Sequence, residues 1–259
     1  MELRPNIVSI VQARMGSTRL PGKILKPIQG KPMLWHIVNR LNSVNEIEKV
    51  VIATSNLPSD DLVYDMAIAH GIDCFRGSEA DVLKRIFDAA QLQNAQHVIR
   101  VTGDCPLVDP RTLRKLIAHY FDGKFDFCGV ACGAGVANEK NINRFPDGLD
   151  AEIFSFKVLE EAHLEAKSKL HREHVTPFIW QNDVRYKLGS LYSDIDYSNI
   201  RLTVDNEEDY ELISWIYDTL FPMNPSFDFE EIIKLINNNP DKIQNKHLVG
   251  QEGYNEFWN

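Results

Sequence analysis

Near its amino end the chain reads Asn6-Ile-Val-Ser-Ile-Val-Gln-Ala-Arg-Met-Gly-Ser-Thr-Arg-Leu-Pro-Gly-Lys23. Residues 6–12 form a short, β-branched and almost continuous apolar run, which is typical of a strand covered on both faces. The loop that follows directly, residues 13–22, is rich in glycine and arginine and contains a proline. Because ligands bind at the carboxyl ends of the strands of open α/β sheets, this stretch predicts both a fold class and the place of a site.

Apolar strands and amphipathic helices alternate outward from this stretch. We predict further strands at residues 49–54, 72–75, 97–102, 185–192 and 201–204. We predict helices at residues 33–41, 59–70 (capped by Ser59), 80–92, 110–121 (capped by Asp109), 155–167, 206–220 and 228–237. Residues 129–135 and 138–144 read as a long loop. The alternation indicates βαβ units and an α/β fold with a mostly parallel sheet flanked by helices.

Composition narrows the function classes. The chain has 259 residues, 28 Lys plus Arg against 37 Asp plus Glu, and a formal net charge of −9. This acidic balance argues against general nucleic-acid binding, which needs a basic face. No apolar run reaches the roughly 18 residues of a membrane span, and the amino end lacks a signal-peptide layout. We therefore expect a cytoplasmic protein with no nucleic-acid and no membrane partner.

The cysteines say less about the function. Cys74, Cys105, Cys128 and Cys132 are too few and too scattered for a disulfide scaffold in a chain of this length. The pair Cys128 and Cys132 could suggest a metal site, but it lacks a second pair. Reduced structural thiols are the favoured interpretation.

The loop after the first predicted strand has the chemistry of a polyphosphate site. Arg14, Arg19 and Lys23 bring three cations within ten positions of an otherwise acidic protein. Its small residues, which allow close backbone approach or offer hydroxyl donors, are Gly16, Ser17, Thr18 and Gly22. The alternative is a solvated basic turn. The spacing is not that of a Walker loop.

Two aspartates follow predicted strands. Asp104 lies in Thr102-Gly-Asp-Cys-Pro106, and Asp205 comes directly before the predicted helix at 206–220. Each alone is equally well explained as the cap of a turn or of a helix. Together with the basic loop, two carboxylates from separate strand ends would make a Mg²⁺ site beside a triphosphate. The combination predicts metal-assisted attack on a nucleotide phosphate.

Several motifs, in order along the chain, resemble the cytidylyltransferase-like family. They are Gln12 to Lys23, Gly30-Lys-Pro-Met33, Ala53-Thr54, Phe75 to Leu83, Gly103-Asp-Cys-Pro106 and Arg172-Glu-His-Val-Thr-Pro177. The most similar branch is the spore coat polysaccharide biosynthesis protein group, related to acylneuraminate and 3-deoxy-manno-octulosonate cytidylyltransferases. The resemblance spans about residues 6–220. It implies a Rossmann-like, GT-A-related nucleotidyltransferase fold, and transfer of CMP from CTP, with Mg²⁺, to an acidic sugar or sugar phosphate with release of pyrophosphate.

The resemblance also assigns roles to positions. The nucleotide-binding positions that it implies are Ala13, Arg14, Ser17, Arg19, Lys23, Ser78 and Asp81. Among these, Ser78 and Asp81 lie in the segment that reads the pyrimidine edge. The catalytic positions that it implies are Arg14, Lys23, Asp104 and Asp205, of which the two aspartates hold the metal.

The acceptor side is predicted from two later segments. Asp147, Asp150 and Glu152 could accept hydrogen bonds from sugar hydroxyls, and Arg172 could clamp an acidic sugar or a phosphate in a bidentate way. His174 could act as a base near neutral pH. The alternatives are a plain turn, a charged helix end and a structural histidine. The chain has Thr-Gly-Asp-Cys-Pro where the octulosonate branch has Gln-Gly-Asp-Glu-Pro, so the acceptor sugar stays open.

The predicted organisation is one nucleotidyltransferase domain over residues 1–240, with a sugar-binding and dimerisation insertion at about 128–200 and a tail at 241–259. The resemblance implies a homodimer acting in surface polysaccharide or glycan biosynthesis. Two other functions stay open at this point. One is a glycosyltransferase that consumes a sugar nucleotide, and the other is a catalytically silent nucleotide-binding scaffold.

Overall fold

The computed structural model describes residues 4–133 and 142–249. The predicted loop at 129–144 and the tail therefore lie partly outside the described residues. The strands are β1 (Ile7–Gln12), β2 (Pro27–Ile28), β3 (Lys31–Pro32), β4 (Lys49–Ser55), β5 (Asp73–Gly77), β6 (His97–Thr102), β7 (Phe127–Val130), β8 (Glu152–Ser155) and β9 (Leu188–Leu191). The helices are α1 (Met33–Asn42), α2 (Asp61–Ala69), α3 (Val82–Leu92), α4 (Pro110–Gly123), α5 (Phe156–Glu165), α6 (Lys169–His174), α7 (Pro177–Trp180), α8 (Glu207–Leu220) and α9 (Phe229–Asn238).

Seven of these strands, within the described residues, form one sheet in the order β5-β4-β1-β6-β8-β7-β9. Strand β1 pairs in parallel with β4 and β6, and β4 pairs in parallel with β5. Strand β8 runs antiparallel to both of its neighbours, β6 and β7, while β7 and β9 are parallel. The predicted α/β fold with a mostly parallel sheet is confirmed. The predicted domain boundaries stay predictions.

The sheet separates two hydrophobic cores. Along β1, Ile7 and Val11 point into one core, whereas Val8 and Ile10 point into the other. This period-two alternation places apolar side chains on both faces, as the continuous apolar run predicts. Helices α1, α4, α8 and α9 contribute to the first core, and α3, α5 and α7 to the second.

Helix starts follow local capping signals. Asp109 accepts a hydrogen bond from the backbone N–H of Thr112 at 2.8 Å, which confirms the predicted cap of α4. Ser155 caps α5 in the same way. The predicted cap at Ser59 is wrong, because Ser59 lies within a 3-10 turn at Pro58–Asp60 and α2 begins after it at Asp61.

The structure corrects one strand prediction and adds two strands that were not predicted. Residues 201–204 do not form a strand, and Arg201 makes only an isolated bridge with Asp147. The backbone N–H groups of this segment instead bind two loops. Leu202 donates to the Asp147 carbonyl, and Val204 donates to the Asp104 carbonyl. Strands β7 and β8 were not predicted, and both lie inside the central sheet.

The sequence analysis also made a prediction about membrane spans. Among the described residues, no helix is both long enough and apolar enough to cross a membrane.

The structure also bears on the cysteines. The four cysteines are free thiols. Burial raises the pKa of Cys128 to about 12. Within the same described part of the chain, no group of three or more His, Cys, Asp or Glu side chains could hold a metal ion.

Candidate active site

The loops at one edge of the sheet come together because their strands are parallel. Strands β1, β4, β5 and β6 all end at this edge, so the segments 13–22, 78–81 and 103–109 meet there. Strand β8 is antiparallel and begins at the same edge, since its first residue, Glu152, pairs with Arg100 of β6. The segment 147–151 therefore joins the others. This edge is the place where the sequence predicted a site.

The basic loop is anchored by a carboxylate that the sequence reasoning assigned only to a helix start. Asp60, 2% exposed, accepts hydrogen bonds from the backbone N–H of Met15 at 2.7 Å and of Ser55 at 3.2 Å. Ala13 donates its N–H to the carbonyl of Ala53, and the Ser17 hydroxyl accepts from Leu20 N–H. The backbone of the loop is thereby fixed against the ends of β1 and β4.

Lys23 turns inward at the end of this loop. Gly22 has a φ of 68°, a left-handed conformation that favours glycine, and it starts the 3-10 turn Lys23–Leu25. The Lys23 Nζ donates to Asp104 Oδ2 at 3.1 Å, to Asp205 Oδ1 at 2.8 Å and to the carbonyl of Val204 at 2.6 Å. Burial alone would lower the pKa of Lys23, but the two carboxylates outweigh it and raise the pKa. The ammonium is therefore charged.

Close backbone approach brings the two aspartates together. The N–H of Gly103 donates to the Gln12 carbonyl at 2.8 Å, which carries the end of β6 against the end of β1. Gly148 has a φ of 101°, and a Cβ there would lie 2.3 Å from the backbone nitrogen of Thr203. Only glycine allows the segments 147–148 and 202–203 to pass so closely. Asp205 is thereby carried to the side of Asp104.

A buried arginine that the sequence analysis did not single out organises Asp205. Arg201, 1% exposed, donates from Nη2 to Asp205 Oδ2 at 2.7 Å, from Nη1 to Asp147 Oδ2 at 2.8 Å and from Nε to Asp209 Oδ1 at 3.1 Å. Asn245, from the last described turn, donates to the same Asp209 oxygen at 2.8 Å. Asp147, predicted to bind the acceptor, is thus held in a buried ion pair.

The two other cations of the loop are placed differently. Arg19 reaches Asp205 Oδ2 at 3.0 Å and is half-exposed. Arg14 lies 3.8 Å from Glu79 and is also half-exposed. The structure therefore joins Arg19, Lys23 and the two aspartates in one cluster, with Arg14 at the rim beside the β5–α3 loop.

Ser78 and Asp81, predicted to read a pyrimidine, belong to this β5–α3 loop. The Ser78 hydroxyl accepts from the Asp81 N–H at 3.1 Å, and Asp81 caps α3 by accepting from Lys84 N–H at 3.0 Å. The fully buried Arg85 donates from Nη1 to the Ser78 carbonyl at 2.6 Å. Burial lowers the pKa of Arg85 to about 10, and its Arg14 neighbour adds to the shift.

Arg172, predicted to clamp the acceptor, is bound to Asp81 instead. Its Nε donates to Asp81 Oδ1 at 2.8 Å, its Nη2 donates to Oδ2, and its Nη1 donates to the carbonyl of His163 at 2.7 Å. Burial alone would raise the pKa of Asp81, but the bonds from Arg172 and Lys84 outweigh it and lower the pKa. The bidentate pair joins helix α6 to the loop before α3. His174 lies half-buried in the last turn of the same helix.

We expect a double-mutant cycle of Asp81→Asn and Arg172→Met to show a coupling energy of about 1 kcal/mol. Asparagine keeps the helix cap, so the cycle isolates the ion pair. Urea unfolding of the four proteins gives the coupling. The exposed pair Lys84–Asp88 on helix α3 serves as the matched control, with an expected coupling of about 0.3–0.5 kcal/mol. Strictly additive effects would contradict the assigned pairing.

The remaining predicted acceptor carboxylate, Glu152, is also engaged. It accepts from Arg100 Nη1 at 2.7 Å and from the Thr176 hydroxyl at 2.8 Å. Arg100 donates further to the Gln12 side chain at 2.9 Å. Sequence reasoning missed Arg100, Gln12 and Thr176. The one available signal was Arg100 itself, because a charged side chain inside the apolar β6 strand requires a partner.

Asp150 is the exception among the acceptor carboxylates. It accepts a backbone hydrogen bond from Gly148 at 2.8 Å, and no cation within the described residues pairs with it. Burial raises the pKa of Asp150 to about 6, and the hydrogen bond from Gly148 opposes the shift, whereas the charges of Asp104 and Glu152 add to it. The pKa of this carboxyl group therefore lies well above that of an ordinary aspartate.

Asp150 gives a pH prediction. Its pKa is higher in the folded than in the unfolded protein, so the folded state binds more protons and its stability falls as the pH rises from about 4 to about 6. We expect the unfolding free energy of the Asp150→Asn protein to exceed that of the wild type by an amount that grows over this range. Urea unfolding at pH 4.5, 5.5, 6.5 and 7.5 measures it. Two parallel pH curves would contradict the shift.

The cluster around Lys23 has the donor set of a divalent-cation site. Asp104 and Asp205 turn carboxylate oxygens, and Val204 its carbonyl, toward one point, and a protein cation already lies there. Oxygen donors of this kind suit Mg²⁺, which is usually held by one or two carboxylates plus substrate phosphates. The cationic loop beside it suits a polyphosphate.

Comparisons with known proteins cover nearly the whole chain. A family model described as cytidylyltransferase matches residues 8–252. The spore coat polysaccharide biosynthesis protein SpsF of Bacillus subtilis is 33% identical over 243 residues, which cover 91% of this chain and 96% of SpsF. The structure of a cytidylyltransferase from Leptospira borgpetersenii superposes with a TM-score of 0.84 at 32% identity, covering 93% of this chain and 98% of that one.

One further relative matches a shorter part. The 3-deoxy-manno-octulosonate cytidylyltransferase of Brucella ovis is 33% identical over 139 residues, 51% of this chain and 53% of that protein. The resemblance inferred from the motifs is thereby confirmed, both for the spore coat branch and for the octulosonate branch.

Proposed function

Since the chain belongs to the cytidylyltransferase family, we propose that it transfers CMP from CTP to an acidic sugar or a sugar phosphate and releases pyrophosphate. The observation that carries the proposal is the convergence of Asp104 and Asp205 on one point beside a loop with three cations. The names of the relatives support CTP as the donor and polysaccharide biosynthesis as the context. The cytoplasmic location and the homodimer stay predictions.

The basic loop binds the triphosphate. Arg14 and Arg19, both half-exposed, lie where they can reach the β and γ phosphates, and Lys23 adds a third cation from the same loop. Their positive charges stabilise the negative charge that builds up on the departing pyrophosphate. The anchors at Asp60 and Ala53 hold the loop in place, so little reorganisation is needed during the reaction.

Asp104 and Asp205 hold the divalent cation, which we propose to be Mg²⁺. When bound, such an ion polarises the α-phosphate and orients the acceptor. Asp205 is kept in position by Arg201, and Asp104 by the close contact between the ends of β1 and β6. The residues thus place the acceptor oxygen for in-line attack on the α-phosphorus. No covalent enzyme intermediate is required, because positioning and electrostatics dominate such transfers.

The acceptor is bound beside Asp104 by the segment 147–152. In it, Asp150 is the carboxylate left for sugar hydroxyls, because Asp147 and Glu152 are held by Arg201 and Arg100. An anionic group on the acceptor matches the cations at this edge of the sheet. Family membership and the convergence of both aspartates count against the glycosyltransferase and the scaffold as functions.

Pyrophosphate release tests the proposal. Each of the four ribonucleoside triphosphates is incubated with the protein, Mg²⁺ and a panel of acidic sugars and sugar phosphates. We expect release with CTP and one acceptor, and a CMP-linked product by mass spectrometry. Release from another nucleotide, or from none with any acceptor, would contradict the proposal.

A further inference from the structure

The ammonium of Lys23 fills the point on which the two aspartates converge. A lysine ammonium has three N–H donors, and here all three are used, toward Asp104, Asp205 and the Val204 carbonyl. The Lys23 side chain is 10% exposed. The ammonium is therefore held by both aspartates and one backbone carbonyl at the same time, unlike that of a solvent-exposed lysine.

A divalent cation needs the same oxygens. Mg²⁺ binds its ligands at about 2.0–2.1 Å, so an ion bound to both Asp104 Oδ2 and Asp205 Oδ1 would lie where the Lys23 ammonium now lies, and the two like charges would repel each other. The second oxygen of Asp205 offers no alternative, because Arg201 at 2.7 Å and Arg19 at 3.0 Å already bind it. Both oxygens of Asp205 are therefore occupied by side chains of the protein.

We propose that Lys23 is the resident counter-ion of the Asp104–Asp205 pair, and that the phosphates of the nucleotide must draw its ammonium away before a divalent cation binds there. The proposal rests on the proposed function, because it assigns an order of binding to that same site. Lys23 then acts twice. It neutralises the aspartates in the free protein and the triphosphate in the complex.

The structure supplies the means for this exchange. Lysine has a flexible four-carbon stem, so its ammonium can move while the backbone stays in place. Gly22 and the 3-10 turn fix that backbone at the end of the basic loop, next to Arg19. A triphosphate bound to the loop offers the ammonium several anionic oxygens. By thermodynamic linkage, nucleotide and cation then raise each other's affinity by the same factor.

Binding of Mn²⁺ alone tests the proposal without any turnover. Free Mn²⁺ is titrated by electron paramagnetic resonance against the wild type, Lys23→Met and the control Lys26→Met. Lys26 lies three residues away and pairs with the exposed Glu207. We expect Lys23→Met to bind Mn²⁺ about 10- to 100-fold more tightly than the wild type, as coupled sites of this kind do, and Lys26→Met to match the wild type. Equal affinities of the wild type and Lys23→Met would overturn the proposal.

Lys23→Met leaves Asp104 without its cation, whereas Asp205 keeps Arg201 and Arg19. We expect the variant to lose stability in metal-free buffer and millimolar Mn²⁺ to restore its melting temperature. A measurement on the wild type covers the case in which the variant does not fold. The ¹⁵N signal of the Lys23 ammonium is followed by NMR while Mg²⁺ or inorganic triphosphate is added. We expect triphosphate alone to shift or broaden the signal and Mg²⁺ alone to leave it. A shift with Mg²⁺ alone would overturn the proposal.

The two proposals fail in different ways. Absence of pyrophosphate release with every acceptor would count against the proposed function. The Mn²⁺ and triphosphate experiments would still test the role of Lys23, because neither depends on cytosine or on a sugar. Pyrophosphate release together with equal Mn²⁺ binding by the wild type and Lys23→Met would leave the proposed function intact and remove the role of Lys23 as resident counter-ion.

Discussion

Replacing Asp104 with asparagine is expected to lower kcat for pyrophosphate release by about 10²- to 10³-fold and to leave the protein folded. Asparagine keeps the shape of the side chain and an oxygen that can accept from Lys23, but it removes one of the two charges that we propose to hold the divalent cation. The residue is partly exposed at the edge of the sheet, so the fold depends little on it. Steady-state kinetics and the thermal unfolding midpoint measure the two effects.

A matched control separates this effect from a general loss of charge. Asp218 is an exposed aspartate on α8 that accepts a hydrogen bond from Gln29, and it lies outside the cluster of Lys23. Asp218→Asn is expected to keep wild-type kcat. If Asp104→Asn lost folding and activity in parallel, its role would be structural rather than catalytic.

Replacing Arg201 with methionine is expected to lower the unfolding free energy by about 3–5 kcal/mol. The guanidinium is buried and binds Asp147, Asp205 and Asp209, so its removal leaves three carboxylates without their shared cation. Those carboxylates raise the pKa of Arg201 well above its usual range, although burial alone would lower it. Urea unfolding at pH 7 measures the loss.

The conservative variant tests whether Arg201 also positions Asp205. Arg201→Lys keeps the charge but cannot bind three carboxylates with a planar fork. We expect it to fold, with kcat reduced more than the KM for CTP is raised, because Asp205 is then held less firmly. Arg185 is the matched control, since it also binds two carboxylates, Glu161 and Glu165, but at the surface. Arg185→Met is expected to leave the unfolding midpoint almost unchanged. A Lys variant with wild-type kcat would contradict the positioning role.

The elements that the sequence predicts well are those with local signals. Strand β1 was identified within one residue from its apolar run, and α4 from the pair Asp109-Pro110. The predicted start of α8 at residue 206 is one residue before the observed start at Glu207, where the Asn206 N–H donates to the Asp209 carboxylate. Strands β7 and β8 have four residues each, and β8 begins with the charged Glu152. Short strands of this kind carry no usable periodicity, so they are recognised only from their neighbours in the sheet.

The site was predictable in its residue types but not in its pairings. The basic loop and the two aspartates stand out in the sequence because charged residues follow short apolar runs, although the run before Asp205 does not form a strand. Nothing local indicates that Arg172 binds Asp81, 91 residues away, or that one arginine binds Asp147, 54 residues before it. The sequence therefore suggested free ligands for substrate where the folded protein uses several of the same side chains to hold its own loops.

The contact between Lys23 and its partners also has a consequence for the chain during its synthesis. Val204 and Asp205 lie 181 and 182 residues after Lys23, and Asn245, which holds Asp209, comes later still. At about 5–20 residues per second, a ribosome adds these partners some 10–40 s after the lysine. The central strand β1 can pair with β4 and β6 in that interval, which brings Asp104 to Lys23 before Val204 and Asp205 are added. A nascent or truncated polypeptide that stops before residue 204 thus has the basic loop with only one of the two aspartates, and the carboxylate pair forms only after Asp205 has been added.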